Sequence, residues 1–199
     1  MTSSTAKQLP VLVITGQSGA GKGTLIKRLL ELYPELELAV SATTRARRPG
    51  EVDGLHYYFI DDDEFERRHA DGDFLEYHVF PWGQRSGTLL SEIDRIGEKG
   101  KICVLELETE GALTVADRVP GAVTIFITAP LEELERRLLE RATESSGEIG
   151  ERLRVAREQL AVAERFDHIV VNDDLERAVG ELSTLVRRYA VPAATMPRQ

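Results

Sequence analysis

At 199 residues, with 42% hydrophobic and 30% charged side chains, the chain has the size and balance of one globular domain that can bury a core without disulfides or metals. A formal net charge of -9 excludes a nucleic-acid binder working through a broad basic face, and no apolar run approaches the roughly 20 residues a membrane span needs. The lone Cys103 cannot close an internal disulfide, and the opening MTSSTAKQLP has neither the charged start nor the apolar stretch of a secretory leader, so a reducing cytoplasm is the expected setting.

Residues 11–15, VLVIT, predict a short buried strand that runs directly into TGQSGAGKGT (15–24), and TLIKRLLELY (24–33) continues with apolar residues at helical spacing. Strand, glycine loop and helix are the context in which G-x-x-x-x-G-K grips phosphate. Backbone N–H groups turn toward one centre, the helix N-terminus adds positive potential, and Lys22 reaches the outer phosphates. The phosphate-binding candidates are therefore Gly16, Gln17, Ser18, Gly19, Ala20, Gly21, Lys22, Gly23 and Thr24. Gly23 stands where such loops carry the Ser or Thr whose oxygen serves magnesium.

LELAVS (36–41) and LHYYFI (55–60) read as strands, separated by the basic cluster TTRARRPG (43–50). DDDEFERRHADG (61–72) predicts a helix capped by Asp61 or Asp62 and ended by Gly72, and DFLEYHVF (73–80) is a further extended piece. SGTLLSEIDRIGEKG (86–100) is expected to be helical. KICVLELE (101–108) predicts a buried parallel strand delivering Glu106 and Glu108 to its C-terminal edge, with Cys103 a packed thiol inside it. AVTIFIT (122–128) is the clearest strand. Two Glu- and Arg-rich helices over 131–141 and 148–165 come next, joined by ATESSGE, flexible by composition. The mixed charges of ELERRLLER suit a solvated face as well as a phosphate site. HIVVN (168–172) is the last strand and DLERAVGELSTLVRRY (174–189) the last helix, with Asp173 or Asp174 as its cap. The tail VPAATMPRQ reads as disordered. The four histidines fit no metal-ligand spacing and are expected to be surface or packing residues. This alternation defines an α/β nucleotide-binding protein.

Several separated motifs, in order, then make the chain resemble the guanylate kinase family over residues 11–189. They are GQSGAGKGTL, VSATTRARRPGEVDGLHYYF, the pair FLEY and GQRSGT, VLELETEGA, the segment from RLLERAT to ERL, and IVVNDDLERA. The resemblance implies a P-loop nucleoside-phosphate kinase fold: an α/β parallel core sheet flanked by helices, with a small GMP-binding lobe and a helical lid. It implies a single domain over 9–190, with core 9–38, 99–135 and 166–190, GMP lobe 39–98 and lid 136–160; residues 1–8 and 191–199 would be flexible tails.

The implied activity is transfer of the γ-phosphoryl group of ATP to GMP, and to dGMP, in purine nucleotide metabolism, with Mg²⁺ accompanying ATP and with no nucleic-acid or membrane partner. Carried over residue by residue, the resemblance sets Ser41, Arg45, Arg48, Tyr57, Glu76 and Thr88 around GMP, together with Glu106 and Glu108, which also stand where they can position magnesium-bound water. Lys22, Arg137, Arg141 and Arg152 would meet the transferred phosphate. The same GKGT form of the loop occurs in adenylate kinases, which leaves Thr24 as the candidate protein ligand for magnesium, the rest of its shell coming from ATP and water. Guanine offers N1–H and an exocyclic amine side by side, both of which a carboxylate such as Glu76 accepts; adenine offers an acceptor at N1 and would be rejected. Departures from the family pattern are Ser86 in place of a tyrosine, Glu108 for Asp, Glu110 for Gln and Ala142 for Gly. Two further readings stand beside this one: a kinase of another small phosphate acceptor, and a binding module that has lost catalysis.

Overall fold

A computed structural model describes residues 10–80, 82–140 and 146–190; the side chains of Arg137 and Arg152, though not their helices, fall outside that description, as does all of Arg141. The segments expected to be flexible, 1–8, 191–199 and most of ATESSGE, also lie outside the described residues.

In chain order the elements are β1 (Leu12–Gly16), α1 (Lys22–Leu32), β2 (Leu36–Leu38), β3 (Ser41–Thr43), β4 (Tyr58–Phe59), α2 (Asp62–Asp71), β5 (Phe74–Val79), β6 (Arg85–Leu89), α3 (Leu90–Glu98), β7 (Ile102–Glu106), α4 (Thr109–Arg118), β8 (Val123–Thr128), α5 (Leu131–Glu140), α6 (Ser146–Ala161), β9 (His168–Val171) and α7 (Leu175–Ala190). The expected parallel sheet is present, five strands in the order β2-β7-β1-β8-β9.

Strand alternation sorts its side chains into two cores. Leu12 and Ile14 of β1, Ile102 and Val104 of β7, and Val123, Ile125 and Ile127 of β8 face one side, where Leu25 and Leu29 of α1 and Ala178 and Leu182 of α7 cover them. Val11 and Val13, Cys103 and Leu105, and Phe126 face the other, under Ile96 of α3 and Ala112 and Val115 of α4. Each large aliphatic residue so buried contributes about 1.5–3 kcal/mol, and truncating one such as Ile14 to alanine would cost about 2–5 kcal/mol. The helix after β1 and the helix after β7 thus lie on opposite faces. Between neighbouring strands whose connections part in this way, a crevice opens at the C-terminal edge.

A second sheet, β4-β3-β6-β5, stands beside that edge, with β3–β6 and β5–β6 antiparallel. Helix α2 closes one face through Phe65, which stacks on Phe74 at 4.5 Å between ring centres. As expected from the sequence, Asp61 caps α2 by accepting from the Glu64 amide at 2.7 Å, Gly72 ends it in the left-handed conformation, and Asp174 accepts from the Arg177 amide at the start of α7.

Three local expectations change. LELAVS is two strands in two sheets: β2 pairs with β7, β3 with β6, and the chain crosses between them where the Val40 amide donates to the buried Glu92 carboxylate at 2.8 Å. Of LHYYFI only Tyr58 and Phe59 form a strand. Residues 86–89 are strand and not helix: a Cβ on Gly87 would sit 2.7 Å from the Glu76 carbonyl oxygen, so β6 approaches β5 as only glycine permits, and the helix starts at Leu90.

Candidate active site

The loop after β1 is fixed from below by buried amides. Gln17, fully buried, accepts from the Thr128 hydroxyl at 2.5 Å and the Ala129 amide at 3.1 Å, and donates to the Ala156 carbonyl of α6 at 3.0 Å. Asn172, just past β9, donates to the Ala20 carbonyl at 2.7 Å. A Cβ on Gly16 would lie 2.0 Å from the Ile127 carbonyl oxygen, and Gly19 and Gly21 both take φ of 85°, so the glycines meet a close approach and two left-handed turns.

Helix α1 then begins at Lys22 with no side chain capping it, which leaves its first N–H groups directed at the crevice. Lys22 Nζ donates back to the Gly16 and Gln17 carbonyls at 2.8 and 3.3 Å. A Cβ on Gly23 would meet nothing within 4 Å, so packing does not explain glycine at that position.

Lys22 also forms one end of a cleft of about 220 Å³ that joins the two sheets. Glu106, Leu107 and Glu108, from the end of β7, line one wall; Ser41, Glu76 and Ser86, from the second sheet, and Tyr57, just before β4, line the other. Burial pushes the Lys22 pKa down, against the pull of Glu108 and Glu106; burial likewise pushes the Glu106 carboxyl up, with Lys22 opposing and Glu108 adding to the rise. Cation and carboxylates therefore share one partly desolvated space, suited to an anion that brings its own counter-charge.

Glu76 sits deepest. A β-bulge between Phe74 and Glu76 lets Phe74 and Tyr77 both turn toward α2, while Leu75 joins the core under α4 and Glu76 turns into the cleft. The residue is 6% exposed, and its carboxylate accepts the Thr88 amide at 3.0 Å. Burial raises its pKa, and the Thr88 hydroxyl and amide and the nearby His78 pull the other way without cancelling the rise.

Of the remaining residues picked out by sequence, Thr88 lies against Glu76 and opposite Ser41 in the β3–β6 register. Arg45 makes a two-pronged bond with Glu51, at 3.0 and 2.8 Å, its guanidinium 5.3 Å from the ring centre of Tyr57. Glu51 also accepts the Arg48 amide at 2.7 Å, and the Arg48 side chain is exposed. Thr24 is exposed on the first turn of α1. Arg141 and the side chains of Arg137 and Arg152 are outside the described residues.

The structure adds Glu51 as the partner of Arg45, and it moves two histidines from surface or packing roles to the cleft wall: His56 and His78 both line it. For His78 the signal was available, since two residues along a strand from Glu76 is the same face. Ser86 also lines the cleft, its hydroxyl donating to the Ala42 carbonyl at 3.0 Å. Among the described residues no group of three or more His, Cys, Asp or Glu forms a metal cage, and no helix is long and apolar enough to cross a membrane.

A parallel sheet with a glycine-rich phosphate loop at its switch point, facing a carboxylate-bearing second sheet across one cleft, defines a P-loop kinase. The comparisons give the family. The guanylate kinase family profile matches residues 8–189. The chain is 44% identical over 177 residues to the guanylate kinase of Synechococcus elongatus, covering 88% of this chain and 96% of that one. It is 46% identical over 179 residues to the guanylate kinase of Rubrobacter xylanophilus, covering 89% and 93%. In structure it is similar to the guanylate kinase of Anaplasma phagocytophilum, with a TM-score of 0.73, 28% identity, and 94% and 89% of the two chains covered. The chain belongs to the guanylate kinase family.

Proposed function

We propose that the chain transfers the γ-phosphoryl group of ATP to the phosphate of GMP, and of dGMP, releasing ADP and the nucleoside diphosphate, as a cytoplasmic enzyme of purine nucleotide metabolism. The observation that carries this is that one cleft is bounded by Lys22 of the phosphate loop and by the buried Glu76 carboxylate. The division into core, GMP lobe (39–98) and lid (136–160) belongs to the same reading, supported by the two sheets that meet at the cleft.

A GMP phosphate oxygen attacks the γ-phosphorus in line, and the bond from that phosphorus to the β–γ bridging oxygen breaks, so ADP leaves with the electron pair. Charge spreads over the transferred group, and Lys22 with Arg137, Arg141 and Arg152 neutralises it; no covalent intermediate on the protein is required. Closure of residues 136–160 over the phosphates keeps water from accepting the phosphoryl group. On the acceptor side, Arg45, Arg48 and Tyr57 hold the GMP phosphate, Arg45 exchanging its two-pronged bond with Glu51 for one to the phosphate dianion. Glu76 accepts guanine N1–H and the 2-amine, with Ser41 and Thr88 completing the base pocket.

The carboxylates of Glu106 and Glu108, close enough to act electrostatically on Lys22, and the hydroxyl of Thr24 on the first turn of α1 are hard donors of the kind Mg²⁺ takes, mostly through water. These residues would hold the ion, which supplies further neutralisation of the phosphate oxygens when bound with ATP. A glycine at position 23 fits a metal carried mainly by the nucleotide.

The experiment is ADP release with ATP and Mg²⁺ across GMP, dGMP, AMP, CMP and UMP. Turnover confined to GMP and dGMP supports the reading, whereas turnover with another acceptor, or with none, contradicts it.

A further inference from the structure

We propose that Gly111 is a specificity-determining positioning residue, whose lack of a side chain provides the seat in which the Glu76 carboxylate rests. Gly111 lies in the first turn of α4. A Cβ built there would stand 2.5 Å from Glu76 Oε2, 3.1 Å from Cδ and 3.5 Å from Cγ, so the three atoms it would meet first all belong to Glu76. Other helical glycines do not behave this way: at Gly97 and Gly180 a Cβ would meet nothing within 4 Å.

The carboxylate has little room to give way and keep its place. Its other oxygen, Oε1, is bonded to the Thr88 amide at 3.0 Å, and the strand that carries it is backed by Gly87, where even a Cβ would lie 2.7 Å from the Glu76 carbonyl oxygen. Glu76 is thus pinned between two segments, β6 behind its backbone and α4 against its head group, each meeting it at a glycine. A methyl group at 111 acts on the flexible end of a side chain and not on backbone, so the fold accommodates it while the carboxylate moves by on the order of 1 Å, a displacement that in an active site costs up to about 100-fold. Glycine inside a helix is also less favourable than alanine. A residue that stability alone would make alanine is here kept small by the position of its neighbour.

The inference rests on the reading that Glu76 selects guanine, and the test separates the two. GMP and AMP kinetics and thermal midpoints are measured for the wild type, Gly111→Ala, Glu76→Ala and the double variant, with Gly97→Ala as the helix control. Gly111→Ala is expected to raise KM for GMP about tenfold or more, with KM for AMP unchanged and the midpoint equal or slightly higher. In the Glu76→Ala background, where the methyl has nothing to displace, it is expected to change none of these further.

An unchanged KM for GMP in Gly111→Ala overturns the proposal, as does an equal rise in the Glu76→Ala background, since the residue would then act by another route. If Gly111→Ala folds poorly, the double variant must recover the midpoint of Glu76→Ala; failure to do so makes Gly111 a structural residue and overturns the positioning role. A Glu76→Ala variant that leaves the GMP to AMP ratio unchanged overturns the guanine reading itself.

Discussion

The half of the cleft around Lys22 is one contiguous glycine loop, whereas the half around Glu76 is gathered from separate segments of the chain. The phosphate loop is ten contiguous residues held from beneath, where Gln17 within it bonds Thr128, Ala129 and Ala156 and Asn172 donates to its Ala20 carbonyl. The acceptor wall is assembled from β3, the 45–57 loop, β5 and β6, each giving it one or two particular side chains, with the first turn of α4 set against Glu76 at Gly111. The difference teaches where each half is vulnerable. A backbone cradle tolerates side-chain change, as Gly23 illustrates, provided its underlying amides hold; a wall of single side chains fails or switches specificity one residue at a time.

The largest effect should come from the one side chain the donor half cannot replace. Lys22→Ala is expected to lower kcat by about 10³ or more, a loss typical of removing a preorganised charge from the transition state, with the thermal midpoint little changed because, among the described residues, Nζ bonds two loop carbonyls. Stopped-flow ADP release and calorimetry check the two halves of that statement.

Gln17→Ala tests the support beneath the loop. It leaves the Thr128 hydroxyl, the Ala129 amide and the Ala156 carbonyl without their buried partner, and is expected to destabilise by about 2–4 kcal/mol. KM for ATP should rise more than KM for GMP. A larger change in KM for GMP would break the division between the two halves.

The smallest effect is a pH dependence confined to the acceptor side. Burial raises the Glu76 carboxyl above its ordinary value of 4.5, so on acidification KM for GMP is expected to climb before an ordinary carboxylate would protonate. Between the unfolded and folded values the native chain binds the extra proton, so this group's contribution to stability increases as pH falls through the window and is lost as pH rises through the folded value. Glu106 adds a contribution of the same sign. Glu37, whose burial cost is outweighed by Lys99, Arg95 and Lys101, and Glu51, held by Arg45, sit at about 2 and titrate below that window. GMP affinity and thermal stability should therefore move in opposite directions there. If both fall together, the carboxylate controlling GMP binding is not one whose pKa is raised by burial.

The same contrast explains what was legible in the sequence. The strand, loop and helix around Lys22 are contiguous, so spacing alone announced them, and the apolar runs of β1, β7 and β8 gave the parallel sheet. The acceptor half depends on long-range pairing. No periodicity marks the bulge at Leu75 that turns Glu76 into the cleft, the crossing at Val40 that sends LELAVS into two sheets, or the packing of Gly87 that makes residues 86–89 a strand. Glu76 is legible in the sequence through a resemblance alone, and its buried environment comes from the fold. Glu51 and Gly111 carry no sequence signal, because one acts through an arginine and the other through the absence of a side chain.

The most direct test of the account is the ratio of kcat/KM for GMP to that for AMP in the wild type and in Glu76→Ala. The account predicts that the ratio falls by about 100-fold, chiefly through lost GMP use, because a buried carboxylate matched to two donors discriminates by roughly that factor, with KM for ATP unchanged. A ratio that stays within about twofold of the wild type would contradict the assignment of base recognition to this residue, and with it the view that the acceptor half is governed by single side chains.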